Sequence, residues 1–126
     1  KEHIECGTFV LPTLFEIPSM DALSGEVFGP VLHVIRYKAC ALDATIDEIN
    51  NTGFGLTFGV HSRIQETVLS LAKRIKVGNC YVNRNTVGAI VGVQPFGGRG
   101  LSGTGPKAGG PNYLTRLVKE KATGCT

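Results

Sequence analysis

Three strand-like segments separated by two helix-like segments constrain the fold of this chain more than any other feature. Residues 31–37, 55–62 and 79–83 are short runs with the apolar, β-branched or alternating character of strands. Residues 41–51 and 64–75 instead place apolar side chains at helical spacing. Because strand–helix–strand connections build parallel sheets, this order predicts an α/β fold with a mostly parallel sheet flanked by helices.

Residues at the ends of the two predicted helices indicate where each begins or ends. Gly53 occupies a C-terminal cap position of the first helix, where glycine is favoured. Ser62 and Gln65 match the S-x-x-Q pattern of a capping box, which predicts the start of the second helix. Gly78 is predicted to end that helix. A short C-terminal helix is predicted near residues 113–120.

Composition excludes several classes of protein. The 126 residues suffice for one domain with a core, and the net charge of +3 is spread without a basic stripe that would contact nucleic acid. No apolar run reaches the length of about eighteen residues that spans a membrane. The cysteines form no CxxC pair and have no histidine at metal-ligand spacing, which predicts reduced thiols in a cytoplasmic protein and no metal site. They are Cys6, Cys40, Cys80 and Cys125.

The segment 92–111 holds eight glycines and three prolines, which allows a linker, a phosphate cradle or an ordered loop. Residues 98–103 (GRGLSG) match GxGxxG, but Pro95 interrupts the approach, and the glycines and prolines that follow cannot propagate a helix. A dinucleotide fingerprint is therefore not expected. Apolar side chains within residues 87–98 disfavour a linker. A ligand-facing ordered loop and a buried crossover both remain open.

Several longer motifs resemble the C-terminal part of an aldehyde dehydrogenase, over about residues 7–117. They are FVLPTLFE, GEVFGPVLHVIRY, NTGFGLTFGVHSR, VGNCYVNRN and QPFGGRGLSGTG. NRNTVGAIVGVQPFGG and LSGTGPKAGGPNYL are similar to the glutamate-semialdehyde (1-pyrroline-5-carboxylate) dehydrogenase module of bifunctional proline utilisation A proteins. The resemblance implies one partial domain over 1–126, in which residues 1–84 belong to the catalytic domain and residues 85–126 form a substrate-anchor loop and tail.

In that family a cysteine thiolate attacks the aldehyde, hydride passes to NAD, and a glutamate-activated water releases the acid. The nucleophile motif, similar to GQxCSA, has no match here, and neither does the general-base glutamate. The resemblance therefore implies no catalytic residue in this chain, which is expected to be inactive alone and to need the rest of the parent enzyme. FAD would belong to a separate proline dehydrogenase domain.

The resemblance also implies five binding residues. Glu26 matches the glutamate that binds the nicotinamide ribose, and Phe28 matches the aromatic beside the nicotinamide. The backbone amides of Gly88 and Ala89 match the anchor of the semialdehyde's α-carboxylate, since successive amides on a glycine turn bind anions. Phe96 matches an aromatic that lines the aldehyde pocket.

Without the resemblance, the acid at position 26 would be a solvated turn residue and the phenylalanine at position 28 a core residue. The glycines and serine at 102, 103 and 105 are expected to shape the loop, and His33 and His61 to be structural. Two alternatives remain for the whole chain. It could belong to an aldehyde dehydrogenase with another substrate, or it could be a structural module that self-associates through exposed apolar faces.

Overall fold

The computed structural model describes residues 7–88 and 92–124. Three 3-10 turns, Met20–Ala22, Ala39–Ala41 and Leu114–Leu117, accompany the regular elements of these residues. No helix within the described ranges is long and apolar enough to cross a membrane. The elements, in chain order, are β1 (Thr13–Glu16), β2 (Val31–Val34), α1 (Leu42–Asn51), β3 (Phe54–Gly55), β4 (Thr57–Val60), α2 (Gln65–Arg74), β5 (Asn79–Val82) and β6 (Arg99–Gly100).

The chain divides into two compact units, Lys1–Thr45 and Ile46–Thr126. In the first unit, β1 and β2 pair in parallel, with Leu14 opposite Leu32 and Phe15 opposite His33. The predicted strand at residues 31–37 is thus confirmed over its first four residues. β1 has no counterpart among the strands predicted from periodicity, because it is only four residues long and three of them are exposed.

The first predicted helix is confirmed as α1. The apolar residues at helical spacing in this segment are Leu42, Ile46 and Ile49. Ile46 is 2% exposed, while Leu42 and Ile49 are half-buried. Gly53 has φ +75°, the left-handed conformation that glycine adopts without a Cβ penalty. Its N–H donates to the carbonyl of Asn50 (3.4 Å), so the helix ends where the sequence predicts.

The second unit is built around the parallel pair of β4 and β5, which α2 connects. Their register places Phe58 opposite Cys80 and Val60 opposite Val82. The buried apolar side chains come from these three elements, from α1 and from the residue that follows α2. They are Ile46, Val60, Leu71, Ile75 and Tyr81.

The strand predicted over residues 55–62 is divided in the structure. Gly55 belongs to β3 and pairs antiparallel with Arg99 in β6, whereas Thr57 begins β4 and pairs with Asn79. The Gly55 N–H donates to the Ser102 hydroxyl (3.0 Å), so a side chain holds the point where the partner changes. The described strands form three separate pairs, two parallel and one antiparallel, and the single sheet stays a prediction.

The predicted capping box is wrong. Helix α2 begins at Gln65, and no side chain caps it. The Ser62 hydroxyl accepts a hydrogen bond from the Ile64 N–H (3.1 Å), two residues ahead, rather than from within the helix. The Ser62 N–H, which Gln65 would bind in a capping box, donates to Asn83 Oδ1 instead (2.9 Å). The hydroxyl and the N–H of Ser62 therefore both bind other partners than a capping box requires.

Two further predicted helix limits are corrected. Helix α2 ends at Arg74, where the Ile75 N–H still donates to the Leu71 carbonyl (2.9 Å), so Gly78 does not end it. Glycine is needed at position 78 for a different reason: a Cβ there would overlap the Gly97 backbone. The predicted C-terminal helix is only the 3-10 turn at Leu114–Leu117, since the α-helical pattern is not sustained.

Candidate functional site

The predicted cofactor residues lie in the connection between the turn at Met20–Ala22 and β2. Glu26 and Phe28 are both exposed, and the Phe28 side chain is 90% exposed. Phe28 is therefore not a core residue of the described chain, and its ring is free to contact a ligand or another surface. The Glu26 carboxylate is open to solvent and offers two oxygens as hydrogen-bond acceptors.

The predicted substrate residues belong to the second unit. Gly88 is exposed, and a Cβ placed on it would meet no atom within 4 Å. Ala89 lies outside the described residues. Phe96 is half-buried, and its N–H and carbonyl pair with Ala108 in an antiparallel bridge (3.0 and 2.9 Å). The backbone of Phe96 is thus held in place by two hydrogen bonds.

Residues 83–88, the departing arm, leave β5 towards Gly88. Asn83 has φ +53°, a left-handed conformation in which asparagine is the most tolerated residue after glycine. Its side-chain amide binds both backbone groups of Ser62: Oδ1 accepts from the N–H (2.9 Å) and Nδ2 donates to the carbonyl (3.0 Å). Thr86 lies close to Gly59, because a Cβ on that glycine would be 2.8 Å from Thr86 Cγ2. The departing arm is thus held against β4.

Residues 92–97, the returning arm, are held by the beginning of β5. Asn79 Nδ2 donates to the Pro95 carbonyl (3.0 Å), and Asn79 Oδ1 accepts from the Gly97 N–H (3.3 Å). The Lys107 ammonium donates to the Gly78 carbonyl and to Asn79 Oδ1. These contacts fasten the glycine-rich segment to Gly78 and to the start of β5, so in this structure the segment is not a free linker.

Tyr81 connects the two arms. Its side chain is 5% exposed, and its hydroxyl accepts a hydrogen bond from Gln94 Nε2 on the returning arm (3.0 Å). The guanidinium carbon of Arg84, on the departing arm, lies 4.7 Å from the centre of the Tyr81 ring. Sequence reasoning missed these fastening residues. Asparagines at both ends of a predicted strand were the available signal, because asparagine is depleted in strands.

The motif GRGLSG forms β6 and a turn in which the Ser102 N–H donates to the Arg99 carbonyl (3.0 Å). The described chain opens no helix at Gly103, so the helix N-terminus that binds a pyrophosphate is not formed there. Ser102 acts structurally through its hydrogen bond to Gly55, in line with its expected role.

Among the residues that the structure describes, neither the histidines nor the cysteines form a catalytic arrangement. His33 stacks on Phe15 with ring centroids 6.2 Å apart. Burial raises the pKa of the Cys80 thiol, which disfavours the nucleophilic thiolate, and Cys40 is exposed. Cys6 and Cys125 lie outside the described residues. Within residues 7–88 and 92–124, no group of His, Cys, Asp and Glu side chains is arranged to hold a metal ion.

Much apolar surface of the first unit is open to solvent. Leu14 and Leu32 occupy one face of the β1–β2 pair and are 61% and 57% exposed, while Phe15 on the other face is 51% exposed. Parallel strands are normally covered on both faces, so this pair has the character of a buried sheet without its covering layers. Large apolar side chains exposed elsewhere in the unit are Phe9, Val10, Leu11, Val27, Phe28 and Tyr37.

Comparison with known proteins reveals extensive similarity. The bifunctional protein PutA of Rhizobium meliloti is 64% identical over 112 residues, which cover 89% of this chain but 9% of that protein. A solved variant of proline utilization A from Bradyrhizobium japonicum is 58% identical with a TM-score of 0.84, covering 88% of this chain and 11% of that one.

A second solved relative is 1-pyrroline-5-carboxylate dehydrogenase from Thermus with bound NAD. It is 45% identical with a TM-score of 0.75, and the match covers 85% of this chain and 21% of that one. The chain therefore spans a small part of the length of the relatives it matches. The family model described as "Aldehyde dehydrogenase family" matches residues 1–123 of the 126. This chain belongs to the aldehyde dehydrogenase family.

Proposed function

We propose that this chain is the C-terminal segment of an NAD-dependent L-glutamate γ-semialdehyde (1-pyrroline-5-carboxylate) dehydrogenase of proline catabolism. The observation that carries the proposal is the similarity, in both sequence and fold, to proline utilization A and to a free-standing 1-pyrroline-5-carboxylate dehydrogenase. The net reaction converts the aldehyde, NAD⁺ and water into a carboxylate, NADH and protons. The segment contributes binding groups, while the nucleophilic cysteine and the general base come from the rest of the enzyme.

The exposed groups of the first unit suit a nicotinamide nucleoside. NAD, when bound, supplies the hydride acceptor. Glu26 would accept hydrogen bonds from both hydroxyls of the ribose, since one carboxylate has two acceptor oxygens. The Phe28 ring, 90% exposed, would be covered by packing beside the nicotinamide. The bound NAD of the Thermus relative supports this cofactor.

The end of the departing arm is suited to bind the substrate carboxylate. Backbone amides at Gly88 and Ala89 would donate hydrogen bonds to it, and Phe96 would line the aldehyde pocket. The open space around Gly88 supports a ligand there, because, apart from Gly88 and its two neighbours in the chain, no atom of the described residues lies within 4 Å of the position a Cβ would take. A carboxylate anchor would separate the semialdehyde from plain aldehydes.

The experiment is a steady-state NADH assay of the full-length enzyme with the semialdehyde and with an aldehyde that lacks a carboxylate. Gly88→Val adds a side chain into space that the fold leaves open, so it tests binding rather than folding. We expect the KM for the semialdehyde to rise about ten-fold or more, because the valine side chain would keep the carboxylate away from the backbone amides and so prevent hydrogen bonds to a charged group. The KM for the plain aldehyde should change less.

An equal change in the KM for both aldehydes would contradict the assignment of Gly88 as a carboxylate anchor. It would favour a dehydrogenase with another substrate. A matched variant, Glu26→Gln, should instead raise the KM for NAD without changing the preference between aldehydes, because it weakens only the ribose contact. The 126-residue chain alone is expected to produce no NADH, and turnover by it would contradict the assignment of the chain as a non-catalytic segment.

The exposed apolar faces of the β1–β2 pair favour a second candidate, a module that associates with copies of itself. Sedimentation of the purified chain tests this second candidate. Concentration-dependent association would support the module, and a monodisperse monomer would count against it.

A further inference from the structure

The Tyr81 side chain contacts both the departing arm, which carries Gly88, and the returning arm. It belongs to β5 and is 5% exposed, so it is packed on nearly all sides. On one side its hydroxyl accepts the hydrogen bond from Gln94, and on the other its ring carries the Arg84 guanidinium. One rigid side chain thus contacts the residue four positions before Gly88 and the residue six positions after it.

We propose that Tyr81 is a positioning residue that holds Arg84 and Gln94 so that the Gly88 amide can face the substrate carboxylate, and so sets the preference for carboxylate-bearing aldehydes. This inference rests on the proposed function. Tyr81 itself does not touch the substrate in this scheme. Its hydroxyl and ring instead fix the two arms that flank Gly88.

The physical reason is that backbone amides bind an anion well only when they already point at it. A glycine-rich loop has high conformational entropy, and ordering it on binding would reduce affinity. The contacts of Asn83 with Ser62 hold only the departing arm, and those of Asn79 with Pro95 and Gly97 hold only the returning arm. Tyr81 contacts both arms, so its hydroxyl affects their separation.

The test uses the full-length enzyme and the variant Tyr81→Phe, which keeps the buried ring and the Arg84 contact but removes the hydroxyl. We expect the KM for the semialdehyde to rise about three- to ten-fold, the effect of losing one hydrogen bond. The kcat, the KM for NAD and the KM for an aldehyde without a carboxylate should stay within about two-fold, a split that general destabilisation would not give.

Tyr113→Phe is the matched control, because it makes the same chemical change on a half-exposed tyrosine outside both arms. Gln94→Ala removes the other partner of the hydrogen bond and should have a similar effect on the KM for the semialdehyde. In the double variant Tyr81→Phe/Gln94→Ala, the two effects should be clearly less than additive. Gln94→Ala also serves alone if Tyr81→Phe does not fold.

The outcomes separate the inference from the function on which it rests. If the wild-type enzyme oxidises the semialdehyde with a clear preference and Tyr81→Phe keeps that preference unchanged, Tyr81 is not a positioning residue, although the proposed function stands. Additive effects in the double variant, or equal losses for both aldehydes, would overturn the inference in the same way. If the wild-type enzyme shows no preference, the carboxylate anchor itself fails, and the inference fails with it.

Discussion

Among the glycines of the described residues, Gly78 is the one at which an added Cβ would overlap another atom most closely. In Gly78→Ala the new Cβ would overlap the Gly97 carbonyl oxygen, and it would lie 2.7 Å from the Gly97 carbonyl carbon and 2.9 Å from Gly98 Cα. Ordinary contacts begin near 3.4 Å, so the backbone at Gly97 must retreat by about 0.7 Å or more. These are backbone atoms, and no rotamer change can relieve the overlap.

Overpacking of this kind costs about 1–3 kcal/mol, and the hydrogen bond from the Gly97 N–H to Asn79 contributes about 1 kcal/mol more when lost. We therefore expect the returning arm to lose about 2–4 kcal/mol of protection against local opening. This corresponds to hydrogen exchange that is about 30- to 1000-fold faster. The amides to follow are those of Phe96 and Ala108, which bond each other's carbonyls.

Hydrogen exchange of the full-length protein, read by mass spectrometry in peptides that cover residues 95–110, is the assay. Gly88→Ala is the matched control, because its Cβ would meet no atom within 4 Å, and its exchange in those peptides should equal that of the wild type. Unchanged protection in Gly78→Ala would refute the reasoning, since it would mean that the glycine-rich segment does not pack on β5 as described.

Three smaller predictions concern other contacts. Cys40 should be alkylated at least about ten-fold faster than Cys80 near neutral pH, because burial raises the pKa of the Cys80 thiol. Labelling followed by mass spectrometry measures both rates, and equal rates would contradict that burial. Glu16→Gln should lower the free energy of unfolding by less than about 1 kcal/mol, and not at all in concentrated salt, because both partners of the Glu16–Arg36 pair are exposed. A larger loss in a denaturation series would contradict this prediction. Asn83→Gly should keep the left-handed backbone but speed hydrogen exchange at residues 60–64 by about ten-fold, since both hydrogen bonds to Ser62 are lost. Unchanged exchange would show that these two bonds do not hold the chain at Ser62.

Local patterns determined the elements that carry a strong periodicity. Apolar residues at helical spacing, among them Ile46 and Leu71, predict the two helices. Helices α1 and α2 form where that spacing occurs. The strand ending at Val82 is likewise predicted by its apolar run. Predictions failed where a local signal had to compete with a distant partner. Ser62 matched a capping motif, but Asn83, remote in sequence, bonds its backbone instead.

For the candidate site, the sequence by itself named residue types and motifs, and its resemblance to a family gave Glu26, Phe28, Gly88, Ala89 and Phe96 their expected roles. Tertiary structure decided which atoms hold the glycine-rich segment, because hydrogen bonds between Asn79 and Pro95 or between Tyr81 and Gln94 join residues that no periodicity relates. It also decided why Gly78 is glycine. Close approach of two backbones is a property of packed chains, and a sequence pattern records only that a small residue is present.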